Sequence, residues 1–292
     1  MIIENLFHIT VVYFDTVKSV RQMVENHYDK PEYDGTVFFL NTFSMFEEPE
    51  FKPELFKDYK RKIYYMLEHR VYDSDKYWES PQVAYDISVV MNLGEKIGIT
   101  EFWTMDYEPQ LAQIVRERLN IPIVFRPVRY TSFITPVDNI KTTYKTVDFC
   151  HIGKINNPHR LELLSEHEYN NTPLSFKFLT GTRDIASMIP ELNTARYIVD
   201  TVRTKDMMAP NQVRIFELLC MGYTVCVEKT GVNMFPGLVY EWSTLGELHR
   251  IRWNLSPYLN PTEAYFSMTY YNEDYENYVN YLIDQYNAIQ RT

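Results

Sequence analysis

The stretch "ITEFWTMDYEPQLAQIVRERLNIPIVFRPV", residues 99–128, decides the fold class. It opens with an apolar, aromatic run (99–107) that is typical of a β-strand. Pro109 then opens a helix pattern over 110–120, because proline is tolerated in the first turn of a helix. A second β-rich run (121–128) follows with almost no loop. Two strands joined by one helix through short connections pair in parallel, so this stretch predicts a βαβ unit.

The same alternation of strand and helix patterns extends through the rest of the chain. Further β-rich runs occur at 7–15, 35–45, 61–71, 147–154, 174–184, 195–202 and 223–229. Helix patterns occur at 157–167, between Asn211 and Gly222, and at 272–289. Asn211 suits an N-cap, and Gly222 suits a helix stop. The chain is therefore predicted to be α/β throughout.

One polar, threonine-rich stretch interrupts this alternation. Residues 129–146 show no clear period, and we interpret them as an interdomain linker. A chain of 292 residues is also longer than one small core requires. We therefore predict two Rossmann-like domains, 1–140 and 141–270, followed by an amphipathic C-terminal helix within 271–292.

Charge and composition exclude several classes of protein. The net charge of −10 argues against a surface that binds nucleic acid or anionic lipid as a whole, although it permits a local basic groove. Three irregularly spaced cysteines indicate buried thiols in a reducing compartment and neither a disulfide framework nor a zinc site. The N-terminus lacks a signal-peptide pattern, and no apolar run approaches the roughly 20 residues of a membrane span. We predict a cytoplasmic protein without a membrane span.

In the second half, glycine, basic and polar residues follow the strand patterns where ligands bind in open α/β sheets, beyond the carboxyl ends of the strands. These residues are Gly153, Lys154, Arg160, Gly181, Arg183 and Asn211. Glycine lets a ligand approach the backbone closely, whereas arginines and helix N-termini bind phosphate. The pattern predicts a site for a nucleotide diphosphate.

Arg214 and Glu217 lie three positions apart in an otherwise apolar helix pattern. One interpretation is an ordinary ion pair on a helix surface, worth a few tenths of a kcal/mol. The other is a ligand site, in which Arg214 binds phosphate and Glu217 binds the two hydroxyls of a ribose. The second interpretation is favoured because Leu218 and Met221 fall on the same side of the helix, and a charged pair among apolar groups usually needs a partner.

Candidate catalytic residues follow two strand patterns of the first half. Glu68 and His69 follow one strand pattern, and Asp106 follows another. Glu68 or His69 can serve as a general base toward an acceptor hydroxyl, whereas the alternative for each is a capping or loop role. The acidic pair of "DSD" (73–75) is interpreted as a turn and not as a metal site. The chain contains none of the motifs GxGxxG, Walker A, HExxH, CxxC and GxSxG.

The helix "RIFELLCMG" (214–222) and the strand "YTVCVE" (223–228) resemble a pair of elements in GT-B glycosyltransferases. In that family, an R-x-x-E helix and the strand after it hold the nucleotide sugar. Within the family, phage DNA β-glucosyltransferases are the nearest parallel. Their strand that ends at a catalytic carboxylate is similar to "KIYYMLEH" (62–69). Their strand, loop and helix with a phosphate-binding arginine are similar to "VDFCHIGKINNPHRLELL" (147–164).

This resemblance implies roles for individual residues. Arg214 would contact the diphosphate of the donor, and Glu217 would contact its ribose. Arg160 and Arg183 would add phosphate contacts, while Gly153 would allow close approach. The catalytic aspartate of the phage enzymes falls at a histidine in this sequence.

The position of that aspartate is occupied by His69, directly after Glu68. Histidine is the base in other inverting GT-B enzymes, so the choice between Glu68 and His69 stays open, as does the stereochemistry of transfer. The GT-B plan further implies a cleft between the two domains and a C-terminal helix that crosses back onto the first domain.

The resemblance implies a glycosyltransferase that uses a UDP- or GDP-linked sugar as co-substrate, without a tightly bound cofactor or metal. The acceptor hydroxyl belongs to a glycan, a protein or a small molecule. The phage parallel suggests an alternative, a hydroxymethylated base in DNA, and implies a viral protein acting in the host cytoplasm. For that alternative, a local basic groove would include Arg61, Lys62, Arg70, Arg126 and Arg129. A third possibility is a catalytically inactive nucleotide-sugar-binding or scaffold protein.

Overall fold

The structure, a computed structural model, describes part of the chain in two compact units. The described residues are 2–5, 10–13, 35–41, 51–66, 96–105, 107, 116–117, 120–127, 144–153, 155, 158–162, 174–180, 185–202, 209–253 and 273–289. The first unit comprises Met1–Phe133 together with Glu273–Thr292, and the second comprises Ile134–Asn272. Among the described residues, helices α1 to α4 span Ile185–Leu192, Gln212–Cys220, Leu245–Trp253 and Glu273–Ile289.

The first unit contains a six-stranded sheet. Its strands β1 to β6 are Ile2–Asn5, Thr10–Tyr13, Thr36–Asn41, Arg61–Met66, Glu101–Thr104 and Ile123–Phe125. β1 pairs antiparallel with β2, and β2 to β6 pair in parallel. The strands lie side by side in chain order. The described strands of this unit therefore contain no point at which the strand order reverses.

The first sheet is buried on both faces at β4 and β5. Ile63, Tyr64 and Tyr65 of β4 are consecutive and all buried, as are Phe102 and Trp103 of β5. Successive strand residues point to opposite faces, so an unbroken apolar run requires cover on both sides. This explains why the sequence shows continuous apolar runs here in place of an alternating pattern.

Helix α4 packs within the first unit. The ring of Tyr286 is fully buried, stacks on Phe125 of β6 with 4.8 Å between ring centroids, and meets Tyr107 edge-on at 5.6 Å. The amphipathic pattern of the C-terminal segment thus corresponds to a helix that packs on β6 through Tyr286.

Two arginines proposed for a basic groove both interact with the neighbourhood of Glu101. Arg61 is the first residue of β4, and its guanidinium makes a bidentate pair with Glu101 at 2.5 and 2.7 Å. Arg126 directly follows β6, and its guanidinium lies 4.7 Å from the ring centroid of Trp103. Burial raises the pKa of Glu101, but its hydrogen bonds to Arg61 and Trp103 and the charges of Arg61 and Arg126 together lower it. A basic groove that includes Arg61 and Arg126 stays a prediction.

The second unit contains a fully parallel five-stranded sheet. Its strands β7 to β11 are Val147–Ile152, Phe176–Leu179, Ala195–Asp200, Val225–Glu228 and Tyr240–Trp242. They are arranged in the order β11-β10-β9-β7-β8. In order of appearance within the unit, this is 2-1-3-4-5, the doubly wound order with a switch point between the first and third strands. That point lies between β7 and β9.

The predicted fold class is confirmed, because both sheets are built mainly from parallel strands. Each β-rich run identified in the sequence contains one of the strands β2 to β10. The sequence patterns did not predict β1, β11, α1 and α3. Helix α1 carries Pro190 in its interior, which is unusual for a helix.

At the amino-terminal edge of the second sheet, Asp148 connects several elements. Its Oδ2 accepts hydrogen bonds from the backbone N and the Oγ of Ser175, both at 3.0 Å, and its Oδ1 lies 2.9 Å from Arg252 Nε on α3. The Asp148 side chain is only 5% exposed. This edge is opposite the one where the strands end, so we assign Asp148 a structural role.

Asp148→Ala is expected to lower the free energy of unfolding by about 3 kcal/mol, because Ser175 and Arg252 lose the buried carboxylate that accepts their hydrogen bonds. Urea denaturation measures this change. Lys177→Gln is the matched control, since Lys177 pairs with Glu191 at 3.2 Å on the surface. Loss of such a pair costs less than about 1 kcal/mol. Equal effects of the two substitutions would contradict the role assigned to Asp148.

Candidate functional site

The switch point of the second sheet brings together residues from three elements. β7 ends just before Gly153, β9 ends at Asp200, and helix α2 begins after Asn211. Ligands of open α/β sheets bind beyond the carboxyl ends of the strands at such a point. A binding site is therefore expected at this edge of the second unit.

Helix α2 presents Arg214 to this edge. Asn211 is the N-cap, as predicted, and its Oδ1 accepts a hydrogen bond from the backbone N of Arg214 at 3.0 Å. The guanidinium Nη1 of Arg214 donates to Asp200 Oδ1 at 2.8 Å. Arg214 is thus paired with a buried strand residue, which distinguishes it from an ordinary surface ion pair.

Gly153 lies where two guanidinium groups converge. Its φ is +121°, a conformation that residues with a side chain rarely adopt. A Cβ built on Gly153 would lie 3.4 Å from Arg214 Nη2 and 3.6 Å from Arg160 Nη1. Both arginines therefore surround the same small space beside the backbone. The structure brings together three of the residues identified in the sequence.

Arg160 is held at this point by the end of β9. It lies on the helical segment 158–162, and its Nη2 donates to the backbone oxygen of Thr201 at 2.6 Å. The preceding residue, His159, contacts Glu228 of β10, with 2.6 Å between Nε2 and Oε1. Glu228 Oε2 also accepts a hydrogen bond from the backbone N of Val202 at 3.0 Å. The segment that carries Arg160 is thereby tied to both β9 and β10.

Burial raises the pKa of Glu228, and the hydrogen bond and charge of His159 act against this rise. The opposing effects are physically consistent, because a carboxylate loses hydration on burial and regains stabilisation from a neighbouring cation or donor. Glu228 is therefore a structural acceptor that links the segment of Arg160 to the sheet.

His151 contributes no positive charge to the site. The ring is buried, and its Nε2 lies 2.7 Å from Thr201 Oγ1. Burial, followed by the charges of Arg160 and Arg214, lowers the pKa of His151 to about 3. The imidazole is thus neutral near pH 7, and the positive charge of this edge resides on the two arginines.

A largely apolar pocket lies next to His151 and Arg160. Its other lining residues are Ile155, Phe176, Phe178, Val199, Thr201, Trp242, Leu245 and Leu248. Such surroundings lower the local dielectric constant, which strengthens the interaction of Arg160 with an anion.

Glu217 lies one turn beyond Arg214 on α2 and is half-buried.

The helix ends as predicted at Gly222, which has a φ of +86°. The backbone N of Gly222 donates to Leu219 O at 2.9 Å, and that of Tyr223 donates to Leu218 O at 3.0 Å. This is a Schellman ending, and it directs the chain into β10.

Several of the residues identified in the sequence lie outside the described residues. They are the site candidates Glu68, His69, Asp106, Lys154, Gly181 and Arg183, the groove candidates Arg70 and Arg129, and the segment 73–75. Their assigned roles stay predictions. The sequence analysis also missed two residues at the site, Asp200 and Thr201. Both lie at the end of the run "ARYIVDTV" (195–202). Because ligands bind beyond the carboxyl ends of strands in open α/β sheets, this position was a signal that could have identified them.

Within the described residues, no group of three or more His, Cys, Asp and Glu side chains is arranged to hold a metal ion. The same part of the chain contains no helix that combines the length and apolarity of a membrane span. Cys150, Cys220 and Cys226 are free and buried, as predicted.

The chain matches no protein-family model and no curated protein sequence. Among solved structures it is similar to glycosyltransferases. One is the apo form of the lipopolysaccharide outer core galactosyltransferase WaaB, at 10% identity and a TM-score of 0.39, over 92% of this chain and 80% of that one. Another is the pneumococcal O-GlcNAc transferase GtfA in complex with UDP and GlcNAc, at 11% identity and a TM-score of 0.34. That match covers 92% of this chain and 55% of the transferase. These are likenesses of general architecture, to proteins of the class that the sequence resembles.

Proposed function

We propose that the second unit binds the diphosphate of a nucleotide sugar and that the protein is a glycosyltransferase. The observation that carries this proposal is the convergence of Arg160 and Arg214 on Gly153 at the switch point of the sheet. Two guanidinium groups beside a bare stretch of backbone suit a phosphate group, which accepts paired hydrogen bonds in one plane. The adjacent N-terminus of α2 adds backbone N–H groups and a favourable dipole.

In the proposed reaction, the acceptor oxygen attacks the anomeric carbon while the bond from that carbon to the diphosphate oxygen breaks. The acceptor proton passes to a general base, for which Glu68, His69 and Asp106 are the candidates. Arg160 and Arg214 stabilise the negative charge that develops on the departing diphosphate. They supply positive charge of the kind that a divalent cation provides in other enzymes.

Transfer is tested first by the donor half-reaction. The purified chain is incubated with a panel of UDP- and GDP-linked sugars, and release of UDP or GDP is followed. Slow hydrolysis of one donor supports the enzyme. Stabilisation by UDP or GDP without any hydrolysis or transfer would support the inactive binding protein. Absence of both binding and hydrolysis would refute the proposed function.

We propose a glycan, a protein or a small molecule as the acceptor. The net charge of −10 disfavours DNA, and the guanidinium of Arg61 is already paired with Glu101. Hydroxymethylated duplex DNA is nevertheless the sharpest test of the alternative. Sugar transfer to that DNA, from a donor that the enzyme hydrolyses, would reverse our choice of acceptor.

Glu217→Ala is expected to weaken UDP or GDP binding about 10-fold or more, because a carboxylate accepting hydrogen bonds from ribose contributes on the order of 1.5–3 kcal/mol. Pyrophosphate has no ribose, so its affinity is expected to stay within about twofold of wild type. Isothermal titration calorimetry measures both. Glu241→Ala, at an exposed glutamate of β11, is the matched control. Normal nucleotide binding by the Glu217 variant would remove the ribose assignment.

A further inference from the structure

We infer that Asp200 is a positioning residue that holds Arg214 against the phosphate of the proposed donor. Asp200 is the last residue of β9 and is 1% exposed. Its Oδ1 accepts from Arg214 Nη1 at 2.8 Å. The inference rests on the phosphate contact in the proposed function and assigns to the end of β9 a part in that contact.

Both Nη atoms of Arg214 lie beside the space at Gly153. Nη2 is 3.4 Å and Nη1 is 3.5 Å from the point where a Cβ of Gly153 would stand, and Nη1 also donates to Asp200. A guanidinium is rigid and planar, so fixing one nitrogen restricts the position of the other. Asp200 therefore fixes the orientation in which the guanidinium of Arg214 faces the space beside Gly153.

Asp200 has no other side-chain hydrogen bond among the described residues, since its buried Oδ2 has no partner there. A carboxylate buried in this way is unfavourable unless a cation compensates it. Among the described residues, the hydrogen-bond partner of the buried Asp200 side chain is thus Arg214. This is the arrangement expected of a residue that acts through Arg214.

Charge and positioning predict opposite effects on phosphate binding. Asp200 is an anion near the site, so its charge alone repels phosphate, and Asp200→Asn would then strengthen binding. If Asp200 acts by positioning, the same substitution weakens binding. An arginine that is released from Asp200 regains rotamer freedom, which it must lose again when it binds phosphate. We therefore expect the affinity for phosphate to fall about tenfold. The sign of the change therefore distinguishes the two roles.

The test measures the affinity of inorganic pyrophosphate by calorimetry for wild type, Asp200→Asn, Arg214→Met and the double variant. We expect Asp200→Asn to bind about tenfold more weakly than wild type. In the Arg214→Met background, the same substitution is expected to leave affinity unchanged or to increase it, because only the repulsion by Asp200 is then removed. A merely structural residue would not show this reversal.

Tyr223→Phe is the matched control. It removes another buried hydrogen bond of the second unit, from Tyr223 to Asn193 Oδ1 at 2.7 Å, near the opposite edge of the sheet. Its pyrophosphate affinity is expected to equal that of wild type within about twofold. Asp200→Glu is the second test variant, in case the asparagine variant does not fold. It keeps the charge but displaces the carboxylate, so positioning predicts weaker binding and charge alone predicts no change.

Three results would overturn the role of Asp200. These are unchanged or tighter binding by Asp200→Asn, equal losses in both Arg214 backgrounds, and normal binding by Asp200→Glu. Parallel titrations with UDP and GDP separate this inference from the proposed function. A wild type that binds pyrophosphate but neither nucleotide refutes the proposed function while the Asp200 comparison stands. A wild type that binds none of the three refutes both.

Discussion

Arg214→Met is expected to weaken the binding of UDP or GDP by about 100-fold. The substitution keeps an unbranched side chain but removes the guanidinium that faces Gly153. A charge-assisted, paired hydrogen bond to phosphate in surroundings of low dielectric accounts for a loss of this size. Arg214→Lys keeps the charge but not the planar fork, so we expect an intermediate loss of about tenfold.

Stability must be measured alongside affinity for these variants. Removing Arg214 leaves Asp200 as a buried anion, which is expected to cost about 3 kcal/mol of unfolding free energy. Titrations are therefore made well below the midpoint of thermal unfolding. Arg250→Met is the control, since Arg250 is 77% exposed on α3 and its partner Glu247 lies 3.6 Å away. A normal nucleotide affinity in folded Arg214→Met protein would refute the proposed diphosphate site.

Gly153→Ala is expected to reduce nucleotide affinity by at least about 100-fold through two separate effects. The added methyl group would occupy the space that both guanidinium groups surround, within 3.4 Å of Arg214 Nη2. The φ of +121° is also strained for a residue with a side chain, at a cost of about 1–3 kcal/mol. The methyl group blocks the phosphate, and relief of the strain would move the backbone away from the arginines.

A second glycine separates these two effects. Gly237 also has a positive φ, +73°, but a Cβ there would meet nothing within 4 Å. Gly237→Ala is therefore expected to lower stability without changing nucleotide binding. Calorimetry and thermal unfolding of both variants supply the comparison. If the two alanine variants bind nucleotide equally well, the space beside Gly153 is not part of a ligand site.

The local pattern of the sequence was sufficient to predict the strands and the helix that carry the site. Alternating strand and helix patterns with short connections predicted parallel sheets, because such connections permit no other pairing. Asn211 and Gly222 marked the limits of α2 through their capping chemistry, and the structure shows both ends as predicted. Arg160 was identified because it follows the end of a strand, and Arg214 because it and Glu217 interrupt an apolar helix pattern.

The partners of these residues were beyond the reach of local pattern. Asp200 lies 14 positions before Arg214, and Glu228 lies 69 positions after His159. No period or motif links such pairs, since their proximity depends on which strands are neighbours. The low pKa of His151 likewise arises from burial and from two arginines on other elements.

The sequence by itself determined the α/β class, the position of most strands and the chemistry available at the strand ends. The tertiary structure decided the strand order β11-β10-β9-β7-β8, and with it the switch point between β7 and β9. The physical reason is that periodicity reports which faces of a strand are buried, whereas it carries no information about the strand alongside. Only that lateral arrangement places Gly153, Arg160 and Arg214 around one space and gives Arg214 its partner, Asp200.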